Sequence, residues 1–187
     1  MAGAVLGVLW GSLLAALAAS PQAHAACGAA PNTAEMQEAE ALYLPTPHRV
    51  VDAMLRLAEV TRSDVVFDLG SGDGRIPIAA ARDHGARGVG IELDGRMIER
   101  ARCNAREAGT GERAQFRQQD LFLAELREAM VVTLFLFPQM VQQLKPRLLA
   151  ELRPGTRIVS HRFGFRDWPA DRSIEVDGHP VLLWRVP

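Results

Sequence analysis

Read along the chain, apolar and polar positions fall into helical stripes and short runs that follow one another in a regular order. Val50, Val51, Met54, Leu55 and Ala58 share one face at helical spacing. Thr46 supplies an N-cap just before them and Pro47 a first helical residue, so the spacing predicts a helix over residues 47–59. Upstream, Tyr43-Leu44-Pro45-Thr46-Pro47 is a stiff extended stretch, because each proline restrains its predecessor. Val65-Val66-Phe67-Asp68-Leu69 is a short apolar run ending in glycines, as expected of a strand buried on both faces of a parallel sheet. There follow a helix over 76–84 stopped by Gly85, a strand at 88–91, an amphipathic helix over 96–108 and a weak strand at 114–117. A strong strand at 131–137, a helix over 140–152 and a strand at 157–160 come next, and segments 173–176 and 181–186 read as a closing hairpin. This alternation predicts an α/β fold, a mostly parallel sheet of seven strands with helices on both faces.

Composition changes the picture mainly at the N-terminus. The first 34 residues hold no Asp, Glu, Lys or Arg, and Ala2 to Ala19 are almost wholly Ala, Leu, Val and Gly. Pro21 ends the run, and Ala23-His24-Ala25 resembles a small-residue cleavage site, which is the pattern of a signal peptide without its basic n-region. The run is also long enough to serve as a membrane anchor. Residues 1–25 are therefore expected to be a hydrophobic leader, residues 26–40 a linker and residues 41–187 the folded domain. The protein is expected to be membrane-associated or exported. Because the first basic residue, Arg49, follows the run, an anchor over residues 2–19 would leave the domain on the cytoplasmic side. Over the whole chain of 187 residues the formal net charge is −1, so no global field draws it to nucleic acid. Two cysteines make no disulfide framework, and five scattered histidines make no zinc spacing; no metal is expected.

The central chemical signal is Asp68-Leu69-Gly70-Ser71-Gly72-Asp73-Gly74-Arg75, between a strand and a helix. Glycines there let the backbone turn sharply and approach a ligand, and the helix N-terminus beyond offers unpaired N–H groups. A dinucleotide fingerprint would place its third glycine at position 75, where Arg75 stands. Asp followed by G-x-G-x-G is the S-adenosylmethionine pattern instead, with Asp68 facing the ligand's ammonium. Glu92 ends the second strand about twenty residues on, where a carboxylate can accept bonds from ribose hydroxyls. Asp120, ending the third strand, can accept from an adenine amino group, with Leu121 and Leu93 against the ring faces. Phe137-Pro138-Gln139, at the end of the fourth strand, lies where a methyl group would be delivered, the Gln139 amide orienting the acceptor. Phe163, Phe165 and Trp168 are candidate walls of an acceptor channel. No Ser-His-Asp or Cys-His set accompanies them, which fits a displacement that needs alignment more than a protein nucleophile.

These segments resemble a known family. Ser71-Gly72-Asp73-Gly74-Arg75, Pro138-Gln139-Met140, the helix around Leu144 and Leu152, and Arg162-Phe163-Gly164-Phe165-Arg166-Asp167-Trp168 are similar to the mitochondrial lysine methyltransferases of the adenine nucleotide translocase and ATP synthase c-subunit. The likeness covers about residues 41–172, and a fainter one reaches the non-SET histone lysine methyltransferases. It implies a Rossmann-like fold, S-adenosyl-L-methionine as cofactor and a protein lysine as acceptor, including acceptors in membrane proteins. It also implies that Tyr43 and Thr46 lie at the entrance to the cofactor site. Other acceptors consistent with the residues are a small molecule or a lipid headgroup, and a non-enzymatic cofactor-binding module at the membrane is a further reading.

Overall fold

A computed structural model describes residues 44–187. The expected leader, the linker and Tyr43 lie outside the described residues. Seven strands form one sheet in the order β3-β2-β1-β4-β5-β7-β6: β1 is Val65–Leu69, β2 Arg87–Glu92, β3 Ala114–Gln118, β4 Val131–Leu134, β5 Arg157–His161, β6 Arg172–Val176 and β7 His179–Arg185. Strands β1 to β5 pair in parallel, whereas β7 runs antiparallel to both β5 and β6. The sheet is thus mostly parallel with a terminal hairpin, as the sequence pattern predicts.

Helices α1 (His48–Leu57), α2 (Arg75–His84) and α3 (Gly95–Glu107) cover one face, and α4 (Pro138–Glu151) the other. The division follows strand alternation: Val66 and Val131 pack under α1 and α2, while Phe67, Leu69 and Val132 pack under Val141, Leu144 and Leu148 of α4. Among the described residues no helix is long and apolar enough to cross a membrane.

The elements differ from the sequence expectation in three informative places. Strand β4 ends at Leu134, so Phe135, Leu136 and Phe137 leave the ladder and enter the loop beyond it. Strand β3 ends at Gln118, which places Asp120 in the following turn, where its carboxylate accepts the Phe122 N–H at 2.8 Å. Thr46 does not cap α1: Pro47 occupies that position without a side-chain bond, and the Thr46 hydroxyl pairs with His161 Nδ1 at 3.3 Å instead.

Helix α2 approaches β2 unusually closely because Gly88 carries no side chain. A Cβ there would lie 2.4 Å from the Pro77 carbonyl oxygen and 2.7 Å from its Cα, both backbone atoms that cannot swing aside. Gly88→Ala is therefore expected to lower stability by about 1–3 kcal/mol, the usual cost of overpacking. Chemical denaturation of the full chain measures it, and a midpoint unchanged from wild type would refute the tight contact.

Candidate active site

The sheet order reverses between β1, followed by β2, and β4, so neighbouring loops part there and leave a crevice at the carboxyl ends of the strands. A cavity of about 1290 Å³ occupies it. Of the residues expected from the sequence, Thr46, Asp68, Gly70, Ser71, Gly72, Glu92, Leu93, Asp120, Leu121 and Phe137 line this cavity. They arrive from five separate segments of chain.

Three expected site residues do not. Gly74 has φ 81 and faces away: a Cβ on it would meet the Phe116 ring at 2.6 Å and Ala101 Cβ at 2.9 Å, so its role is the close packing of α2 on β3 and α3. Pro138 is the first residue of α4 and Gln139 is exposed; neither lines the cavity. Of the expected acceptor wall only Phe163 lines it. Phe165 and Trp168 stack on each other with ring centroids 5.1 Å apart, and Trp184 donates its indole N–H to the Trp168 carbonyl at 2.9 Å. They belong to the core under α4 rather than to the site.

The glycine loop is held from both sides. Glu92 Oε2 accepts the Gly72 N–H at 2.9 Å, while Oε1 accepts those of Leu93 at 2.7 Å and Asp94 at 3.0 Å. One carboxylate thus joins the first and second loops. Asp68 is fully buried and accepts the Thr133 hydroxyl at 2.6 Å. Thr133 stands on β4 inside an apolar run, where no sequence pattern marks it. Gln142 is likewise invisible to periodicity: its amide donates to the Gly164 carbonyl at 3.0 Å and accepts the Arg166 N–H at 3.2 Å, fixing the segment beside Phe163.

The carboxylates at the strand ends and in the loops just beyond them sort into two kinds. Asp73 pairs with Arg75, and Asp94 with Arg96. Asp68, Glu92 and Asp120 make no ion pair among the described residues. Their remaining lone pairs and negative charge suit a ligand that is cationic at one end and rich in N–H and O–H donors. Ser71 Oγ, buried in the cavity lining against Gly90, is the one buried side-chain polar atom without a hydrogen-bond partner among the described residues. The donor set therefore fits an amino acid joined to a nucleoside through a sulfonium. At the opposite end, Phe135, Leu136, Phe137, Met140 and Phe163 make an apolar lining that ends at Arg162, whose φ of 68 is rare for a non-glycine residue.

A family model for the ANTKMT methyltransferase domain matches residues 68–172. A protein-lysine N-methyltransferase of Saccharolobus islandicus is 42% identical over 149 residues, covering 77% of this chain and 92% of that protein. The chain belongs to the ANTKMT methyltransferase family. Its domain is a methyltransferase domain that uses S-adenosylmethionine. Within the family, the ATP synthase c-subunit lysine N-methyltransferase of Xenopus laevis is 35% identical and covers 69% of this chain, which spans 56% of that longer protein. Among solved structures, an RNA methyltransferase from Salinibacter ruber in complex with S-adenosyl-L-homocysteine is 53% identical, with a TM-score of 0.76 over 77% of this chain and 94% of the other.

For this family member the buried carboxyl of Asp68 carries a pH signature. Burial pushes its pKa up to about 7, the neighbouring Glu92 and Asp73 push the same way, and the Thr133 hydrogen bond opposes them. The folded value lies above the unfolded one, so the stabilising contribution is complete below the unfolded value and is lost as pH rises through about 7. Without ligand, the wild-type denaturation midpoint is expected to fall between about pH 4 and 7, the span between the unfolded and folded values, more steeply than that of Asp68→Asn. Parallel curves for the two proteins would show that Asp68 does not titrate there.

Proposed function

We propose that this chain transfers the methyl group of S-adenosylmethionine to the ε-amine of a lysine in a protein. The observation that carries this reading is the apolar acceptor end of the cavity, formed by Phe137, Met140 and Phe163 with Arg162 at its rim. Only a neutral amine has a lone pair for attack. From a reference pKa near 10.4, removing the proton at neutral pH costs about 4–5 kcal/mol. An apolar wall reduces that cost by disfavouring the ammonium, and the Arg162 guanidinium acts in the same direction by like-charge repulsion. The cofactor supplies an electrophilic methyl group whose transfer leaves S-adenosyl-L-homocysteine. On the protein's side, Asp68, Glu92 and Asp120 hold the cofactor by its ammonium, ribose and adenine, and Phe137 and Phe163 exclude water from the acceptor. The name of the Saccharolobus islandicus relative supports lysine as the acceptor, because this chain spans nearly all of that protein.

A second reading, transfer to RNA, is favoured by the description of the Salinibacter ruber protein. Along α3, Arg96 and Arg102 are paired with Asp94 and Glu99, whereas Arg100 and Arg106 line the cavity without an ion pair among the described residues, so the acceptor test below, not local charge, separates the two readings. The leader points to a protein acceptor at a membrane, with residues 2–19 as the anchor and the domain on the cytoplasmic side.

Two measurements test the reading. Glu92→Ala is expected to weaken S-adenosyl-L-homocysteine binding by roughly 1.5–3 kcal/mol, the loss of bonds to a charged acceptor; wild-type affinity by calorimetry would remove Glu92 from the site. For the acceptor, the full chain is incubated with labelled cofactor and a lysate, separated into protein, RNA and small-molecule fractions. Methyl groups are expected on lysines in the protein fraction, at a rate that rises with pH and falls in Phe137→Ala while cofactor affinity holds. Label confined to RNA or to small molecules would overturn the lysine assignment.

A further inference from the structure

Arg75 stands where a dinucleotide loop would have glycine, and nothing in the methyl-transfer reading uses it. It is also the first residue of α2, the positive end of a helix dipole, where a cation is disfavoured. Its surroundings account for its presence. The guanidinium makes a two-pronged pair with Asp73, Nε to Oδ1 at 2.9 Å and Nη2 to Oδ2 at 2.6 Å, and Asp73 also accepts the Arg75 N–H at 3.2 Å. The third arm, Nη1, donates to the backbone carbonyl of Thr46 at 2.8 Å. The Asp73 carbonyl is itself held by Asn104 Nδ2 of α3 at 2.9 Å, so this end of the contact is anchored to two helices. Thr46 is anchored on its other side through its hydroxyl to His161 Nδ1, and His161 Nε2 lies 2.9 Å from His179 Nδ1.

Residues 44–47 have no regular secondary structure before α1 begins, yet Leu44, Pro45 and Thr46 line the cavity. Thr46 is only 4% exposed although Leu44, two residues earlier, is 65% exposed. The segment is thus pinned at Thr46, by the Arg75 guanidinium to the glycine loop and by the His161 imidazole to the end of β5. We propose that Arg75 is a positioning residue that latches residues 44–47 onto the glycine loop as one wall of the cofactor cavity. Pairing with Asp73 serves two ends. It fixes the guanidinium's plane so that Nη1 meets Thr46, and it anchors that plane to the loop itself. Lysine cannot reproduce this, because a point charge does not hold a carboxylate with two arms and a carbonyl with a third.

The inference rests on the cavity being the cofactor site, and the test separates the two. Full-chain wild type, Arg75→Met and Arg75→Lys are compared by calorimetry with S-adenosyl-L-homocysteine and by hydrogen exchange across residues 44–51 without ligand. Arg75→Met is expected to bind about tenfold more weakly, as for loss of one charge-assisted bond, and to exchange faster across that segment while the sheet stays protected. Arg75→Lys, which keeps the charge and most of the volume, is expected to fall between the two on both measures. It carries the test alone should the methionine variant not fold. Weak binding with unchanged exchange would mean that Arg75 acts on the ligand directly, and faster exchange with unchanged binding would mean that the segment is no wall; either overturns the latch. Absence of binding by wild type, with exchange still faster in the variants, would instead count against the cavity as the cofactor site.

Discussion

The close approach permitted by the two glycines of β2 is the constraint on which the site depends. Gly88 lets the backbone of α2 rest on the sheet at Pro77, and Gly90 leaves room for both Phe116 and Ser71. With side chains at either place, α2 would be lifted and the loop that feeds it would move with it. Seated as it is, the loop brings Gly72 within hydrogen-bond reach of Glu92, so that the first and second loops become one rigid edge. Sheet order supplies the rest: the reversal at β1 and β4 opens the crevice, and the loop forms its floor.

Electrostatics then decides what the crevice accepts. At the strand ends and the loops beyond them, pairing takes up Asp73 and Asp94 and leaves Asp68, Glu92 and Asp120 facing one space. A carboxylate as buried as Asp68 is costly in its ionised form, which is why its pKa is displaced to about 7. A cationic ligand relieves that cost where a neutral or anionic one does not. At the far end the lining turns apolar and ends at Arg162, which on the proposed reading opposes an incoming ammonium and admits a neutral amine. Opposite preferences at the two ends of one cavity would suit a positively charged methyl donor and an acceptor that must lose its proton.

Much of this is visible in the sequence where short-range rules govern. The glycine loop, Glu92 at a strand end and the strand–helix alternation each follow from local spacing, and the structure brings them together. Reading fails where tertiary contacts compete with local chemistry. Thr46 looks like a helix cap, yet its hydroxyl is drawn away by His161, more than a hundred residues later in the chain. Phe165 and Trp168 look like a channel because aromatic clusters serve both surfaces and cores, and here Trp184 from β7 draws them into the core. Gln139 reads as a site residue only if β4 extends to residue 137; the strand ends at Leu134, and α4 begins one residue before Gln139 and leaves it exposed. Thr133 and Gln142 carry no local signal, since a hydroxyl within an apolar strand and an amide on a helix become informative only once their partners are known.

The most direct measurement is a crystal structure of the full chain grown with S-adenosyl-L-homocysteine. The ligand is expected in the crevice between the ends of β1, β2 and β4, with its ammonium at Asp68, its ribose hydroxyls at Glu92 and its adenine beside Asp120 and Leu121. A ligand seated elsewhere, or one in the crevice that leaves all three carboxylates without contact, would contradict the assignment of this cavity as the cofactor site.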